Sequence, residues 1–189
     1  MTIALVAVLA LGGCATESPF VEFAGITFHH LPAIKLRVVD IQIDNKAPAK
    51  VLEPHVGHKF PVTPVNGLRR WVEDRLRPAG SKGTARFTIL QADAIETKLK
   101  IDEGIRATFT KEQSESYLVT VSASLEVFDE NGIRRAFVEA KSDLRQTVPE
   151  DISLTGRRQV WFAITEKLMA KFNSEMERNI RHYMTEYTH

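Results

Sequence analysis

The chain has 189 residues, 43% of them hydrophobic, and its 25 Lys+Arg against 24 Asp+Glu leave a formal net charge of +1. That length and apolar share suit one domain with a sizeable core. The near-neutral balance excludes the basic footprint of a nucleic-acid binder and the polybasic tract that holds proteins on anionic membranes.

Residues 3–11 are an unbroken apolar run, followed by Gly12, Gly13 and Cys14, the one cysteine of the sequence. A bilayer span needs about 20 such residues, so the run has instead the length of a signal-peptide h-region, with small residues before the cut. No Lys or Arg precedes it, which places the expected true start upstream. A cysteine directly after that small pair resembles the lipobox of bacterial lipoproteins. The resemblance implies that residues 1–13 are removed as a signal peptide. It also implies that the Cys14 thiol receives diacylglycerol and that the new amino group is acylated, as with palmitate. In enteric bacteria an Asp at the next position holds a lipoprotein at the inner membrane; Ala15 therefore favours the outer membrane. With its only thiol acylated the chain forms no disulfide, and its acyl chains suffice for stable anchoring.

Residues 14–32 then form the lipidated cysteine and a tether to a single periplasmic domain at 33–189. Phe20, Val21, Phe23, Ile26 and Phe28 make that tether too apolar for a free linker, so part of it should pack on the domain.

Residues 33–44 read as a strand: Ile34, Leu36 and Val38 share one parity and Val39, Ile41 and Ile43 the other, so a bulge at the switch or a stretch buried on both faces is expected. Residues 45–62 are rich in proline and read as a long irregular loop, a class that is often functional. A helix follows, with Thr63 as N-cap and Pro64 at the first position. Its apolar stripe is Val65, Leu68, Val72 and Leu76 beside Trp71; Arg69, Arg70, Glu73, Asp74 and Arg77 take the wet face; Pro78 and Gly80 stop it. Residues 84–100 read as a strand carrying Phe87, Ile89, Ile95 and Leu99. Residues 101–115 are polar, a loop or a short edge segment around 105–110.

Residues 116–128 alternate cleanly, with Tyr117, Val119, Val121, Ala123, Leu125 and Val127 on one face. Asp129-Glu130-Asn131-Gly132 signals a hairpin, and residues 133–148 return with Ala136, Val138, Ala140, Leu144 and Val148 inward. In the last helix, at 156–184, Val160, Ile164, Leu168, Phe172, Met176 and Ile180 step by four. It would be about 43 Å long, longer than the sheet, so its end should project. The order β-α-β-β-β-α predicts an α+β two-layer sandwich: a mixed, largely antiparallel four-stranded sheet with both helices on one face.

With the lipobox, this order resembles small Gram-negative envelope lipoproteins such as the YajG-like lipoproteins and the auxiliary lipoproteins of ABC-type lipid-transport systems. The stretches 54–64, 69–76 and 147–151 resemble blocks in alphaproteobacterial lipoproteins. The resemblance implies a partner-bound periplasmic module and brings no catalytic residues.

The remaining constellations are weak. His55-x-x-His58, with Glu53 and His29-His30 elsewhere, lacks a clear third zinc ligand, so no metal is expected. Arg69 and Arg70 with Glu73 and Asp74 have the spacing of a solvated helix face, or of a docking surface. Trp71 and Trp161 sit beside core stripes. No Gly-x-Ser-x-Gly, cysteine nucleophile or paired carboxylates occur, and Gly80-Ser81-Lys82-Gly83 follows a helix, the wrong order for a phosphate loop. The expected role is therefore non-catalytic, without a cofactor beyond the acyl anchor: binding of an envelope protein partner. The contact candidates are His55, His58, Phe60, Arg69, Arg70, Arg178, Arg181 and Tyr183. The alternative is a carrier of a lipid or other apolar ligand between sheet and helices, in a cavity lined by Phe87, Leu125, Phe162 and Phe172.

Overall fold

In the computed structural model, which describes residues 23–99 and 113–189, the expected first strand divides in two. Strand β1 (Ile34–Leu36) belongs to a small sheet and β2 (Asp40–Asn45) to the main one. The parity switch at Val38-Val39 is therefore a corner where the chain changes sheets, with Val38 buried and Val39 57% exposed. Gly80 makes the corner: its N–H donates to Val38 O at 3.0 Å, and a Cβ on it would fall 2.4 Å from the carbonyl carbon of Arg37. Nothing local to residues 33–44 announces that partner.

Helix α1 (Pro64–Arg75) starts as its cap chemistry dictates, the Thr63 hydroxyl accepting from Asn66 N–H at 3.2 Å. It ends sooner than expected. Leu76 leaves the helical stripe and opens β3 (Leu76–Pro78), which pairs parallel with β1. The backbone groups that a longer helix would satisfy internally are used by that ladder.

The main sheet adds β4 (Thr84–Lys98), β5 (Gln113–Phe128) and β6 (Arg134–Pro149) in the order β2-β4-β5-β6, with β2 parallel to β4 and the other pairs antiparallel. Both helices pack on the face that carries Phe87, Leu125 and Val138, which meet in register. A register shift between Ile89 and Gln91 moves the inward set of β4 from Phe87 and Ile89 to Ala92 and Ala94. Ile95 thereby takes the outer face. The expected segment around 105–110, residues 1–13 and Cys14 lie outside the described residues.

At the β5–β6 hairpin only Gly132 is left-handed, at φ 75°, and Asn131 keeps negative φ. Asp129 organises the turn by accepting from the N–H groups of Asn131 and Ile133, both at 2.9 Å. The Ile133 N–H, with help from Arg135 and Asn131, holds that carboxyl below its ordinary range against the cost of desolvation.

Helix α2 (Leu154–Tyr183) is capped by Ser153 and buries Ile164, Leu168, Phe172, Met176 and Ile180. Its far end does not project. Ile180 and Met184 are fully buried, because the chain turns after Tyr183 and lies along β1, with Arg37 N–H donating to Tyr187 O at 2.8 Å and His189 N–H to Lys35 O at 3.1 Å. The small sheet thus receives the length by which α2 exceeds the main one. The same helix guards the free edge of β6: Lys171 Nζ donates to Asp143 O at 3.1 Å and Asn179 Nδ2 to Glu139 O at 2.8 Å, a way of blunting a long edge strand.

The two helices share a buried polar junction. Asn173 Oδ1 accepts from Trp71 Nε1 and from Arg75 Nε, each at 2.9 Å, and the Arg75 guanidinium also reaches Glu177 and the Pro32 carbonyl. Burial raises the Glu177 pKa, but the hydrogen bond from Arg181 and the Arg75 charge outweigh it and hold the carboxyl below its ordinary range. A lowered folded-state pKa contributes stability above the ordinary glutamate value, and that contribution is lost as pH falls through the folded value. Glu177→Gln should therefore flatten the acid limb of a stability–pH curve below about pH 4.5, and urea midpoints measured from pH 7 to pH 3 check this.

Candidate functional site

The proline loop is paired to the sheet. Strand β2 stops at Asn45 while β4 runs on to Lys98, which leaves the later edge of β4 unpaired. The loop fills it: Val56 N–H donates to Ala94 O at 2.8 Å, Glu96 N–H to Pro54 O at 2.9 Å, and His55 stands opposite Ile95. The Glu53–Pro54 peptide is cis. This register points His55 at the nearly buried carboxylate of Asp93, with Nδ1 at 2.9 Å from Oδ2, and Lys50 Nζ reaches the same carboxylate at 3.2 Å. The three side chains lock the loop from the outer face of the sheet.

Between the loop, the middle of β4 and the first turn of α1 lies a cleft of about 190 Å³, lined by Ala47, Pro48, Val51, His58, Val65 and Asp93 among others. His58 stands exposed on its wall. Beside it the loop presents Val51 and Leu52, 61% and 78% exposed. Large apolar side chains held on a fixed backbone bind without a large ordering cost, which is what a recognition loop requires.

Of the residues expected at a contact surface, the structure gathers His55 and His58 beside this cleft. Phe60 is a correction: it is 4% exposed, stacked on Trp161 at 5.1 Å and edge-on to Tyr117 at 6.5 Å, so it presents no surface. The short turn Gly57–Lys59 ahead of it swings its ring inward. Arg69 and Arg70 are exposed on α1, Arg70 pairing with Glu73 at 3.3 Å. Arg178, Arg181 and Tyr183 are exposed on the last turns of α2; Arg178 pairs with Glu175 and Arg181 with Glu177. Neither set joins the cleft. Lys50, Asp93, Val51 and Leu52 are the site residues that periodicity did not single out; the two adjacent large apolar residues amid prolines were the available signal.

The expected carrier cavity is filled where it was placed. Phe87, Leu125 and Phe172 are fully buried, and the rings of Trp71, Phe87 and Phe172 pack on one another at 5.5–6.5 Å. Among the described residues no group of three metal-ligating side chains occurs, and no helix is long and apolar enough to cross a membrane.

A second correction concerns Asp74. Helix phase put it on the wet face, yet it is 3% exposed because residues 23–32 lie over it as a strap. Asp74 Oδ2 accepts from Phe28 N–H at 2.7 Å and from the Thr27 hydroxyl at 3.1 Å, and His29 Nε2 stands 3.1 Å from Oδ1. The adjacent Arg75 holds the Pro32 carbonyl. Ile26 and Phe28 belong to the core, and Phe23 packs against Phe162 at 5.3 Å. The described part of the tether is thus packed down, as its apolar composition requires.

No protein-family model matches the chain, and no curated protein matches it. Among solved structures it is similar to the minor lipoprotein of Acinetobacter baumannii, at 9% identity and TM-score 0.41 over 78% of this chain and 96% of that one. It is also similar to rare lipoprotein B of Shewanella oneidensis, at 10% identity and TM-score 0.38 over 74% and 92%. A third is lipoprotein GNA1162 of Neisseria meningitidis, at 13% identity and TM-score 0.25 over 70% and 98%. All three are bacterial lipoproteins; overlap this loose transfers no activity, partner or site residue to this chain.

Proposed function

We propose that this protein is a non-catalytic lipoprotein of the bacterial envelope. It is anchored through acylated Cys14, faces the periplasm from the outer membrane, and binds another envelope protein at the proline-loop cleft. The anchor rests on the apolar run 3–11, the Gly12-Gly13 pair and the single cysteine behind it. The partner site rests on one observation above all: Val51 and Leu52 stand largely exposed on a loop locked to β4 by backbone pairing and by Asp93. Two adjacent exposed apolar side chains beside a cleft can serve a protein partner as interface anchors.

Capture of the acylated protein from its native envelope, after cross-linking, should return one stoichiometric protein. Leu52→Glu should reduce that capture about tenfold or more, the scale of a lost interface anchor, and leave the melting temperature unchanged. Equal capture by the variant, or lipid without a protein, would sink the partner reading. Labelled palmitate should enter the wild-type chain and not Cys14→Ala.

A further inference from the structure

Helix α2 begins with the most exposed large apolar side chain of the described residues, Leu154 at 81%. Leu154, Arg158 and Phe162 follow at four-residue steps, so they share one helix face. Phe23 lies on that face, 5.3 Å from the Phe162 ring and under the Arg158 guanidinium at 5.4 Å. Leu154 continues the stripe beyond Phe23 to the tip of the helix, where no strap residue among those described covers it.

The chain between Cys14 and Phe23 sets what can meet that tip. Phe23 is nine residues on from Cys14, and nine residues reach at most about 30 Å when fully extended. From Phe162 the N-terminal tip of α2 is about 12 Å away, and the C-terminal end at Tyr183 is about 32 Å the other way. Strap residues 27–32 cannot move to lengthen the leash, because Asp74 and Arg75 hold them. An acyl anchor at Cys14 therefore holds Phe23, and with it the first turns of α2, within about 30 Å of the bilayer.

We infer that the first turns of α2 form a membrane-contacting surface, with Leu154 entering the lipid interface and Arg158 lying at headgroup level. An apolar tip with a basic residue one turn behind is the pattern that snorkelling at such an interface favours. The inference rests on the proposed acylation of Cys14.

The test uses the full acylated chain in vesicles of phosphatidylethanolamine and phosphatidylglycerol. With Cys14 acylated, Leu154→Cys and Ile133→Cys each offer one thiol for a nitroxide label, the second in the hairpin at the opposite end. Both positions are exposed, so neither label disturbs packing. The label at 154 should be several-fold more accessible to oxygen than to a water-soluble nickel relaxant, and the label at 133 should show the reverse. Acylated protein whose position 154 is as aqueous as 133 overturns this inference alone. So does a position 154 shielded from both relaxants, which would mean that protein rather than lipid covers it. Absence of the acyl mass at Cys14 overturns the inference together with the anchoring it rests on.

Discussion

Arg75→Met should lower stability by about 2–3 kcal/mol and the melting temperature by roughly 5–10 °C. The guanidinium is fully buried and serves three acceptors on two parts of the chain: Asn173 and Glu177 on α2, and the Pro32 carbonyl at the end of the strap. Methionine fills much of the volume but donates nothing. Removing one partner of a buried pair costs about 3–5 kcal/mol, because the other charge stays behind without compensation. That figure is reduced here, since Glu177 is partly exposed and keeps Arg181 at 2.6 Å. Asn173 Oδ1 likewise keeps the Trp71 donor. The Pro32 carbonyl loses its charged donor, so amide exchange in residues 27–32 should accelerate more than in β5. Arg75→Met with Glu177→Gln should cost less than the two single changes summed, as coupled sites do. A drop under 0.5 kcal/mol, read by urea midpoint, would show that the junction is not a structural tie.

The contrast between Arg75 and Tyr117 shows what the sequence made legible. Tyr117 stands in a strict alternation from 117 to 127, and every inward member of that set is buried. Period, cap and turn signals act over a few residues, so Thr63-Pro64, the hairpin and the four-residue step of α2 were all readable. Arg75, Asp74 and Gly80 are different. The partners that bury them lie 43 to 102 residues away for the two charges, and on the far side of α1 for the glycine. Helix phase sends Asp74 to solvent unless another segment covers it, and the strap that does so is identified only in three dimensions. The cleft behaves the same way. His55 was visible as a loop histidine, but Asp93 sat at an ordinary outward position of a strand, and only the antiparallel pairing of the loop with β4 brings the two within 2.9 Å. Phe60 was misread for the opposite reason: an aromatic residue in a proline loop carries no period to declare that it is core.

Phe172→Ala should be more damaging still, at about 3–5 kcal/mol, the range for emptying a buried aromatic site. Its ring stands edge-on to Trp71 at 5.5 Å and to Phe87 at 6.5 Å, at the centre of the layer between sheet and helices. The backbone there is held from both sides by the β4–β5–β6 ladder and by α2, so the neighbours cannot collapse to fill the gap. The variant should therefore contain a dry cavity that takes up benzene, which raises its melting temperature in a concentration-dependent way. The wild-type protein should show no such rise. This comparison separates the two kinds of binding the fold could serve. A carrier has its space before the mutation, and wild type would respond to apolar ligand as strongly as the variant. With the interior closed by Trp71, Phe87 and Phe172, the proposed recognition falls to the surface, where the two most exposed large apolar side chains of the described residues are Leu154 at the tip of α2 and Leu52 beside the cleft.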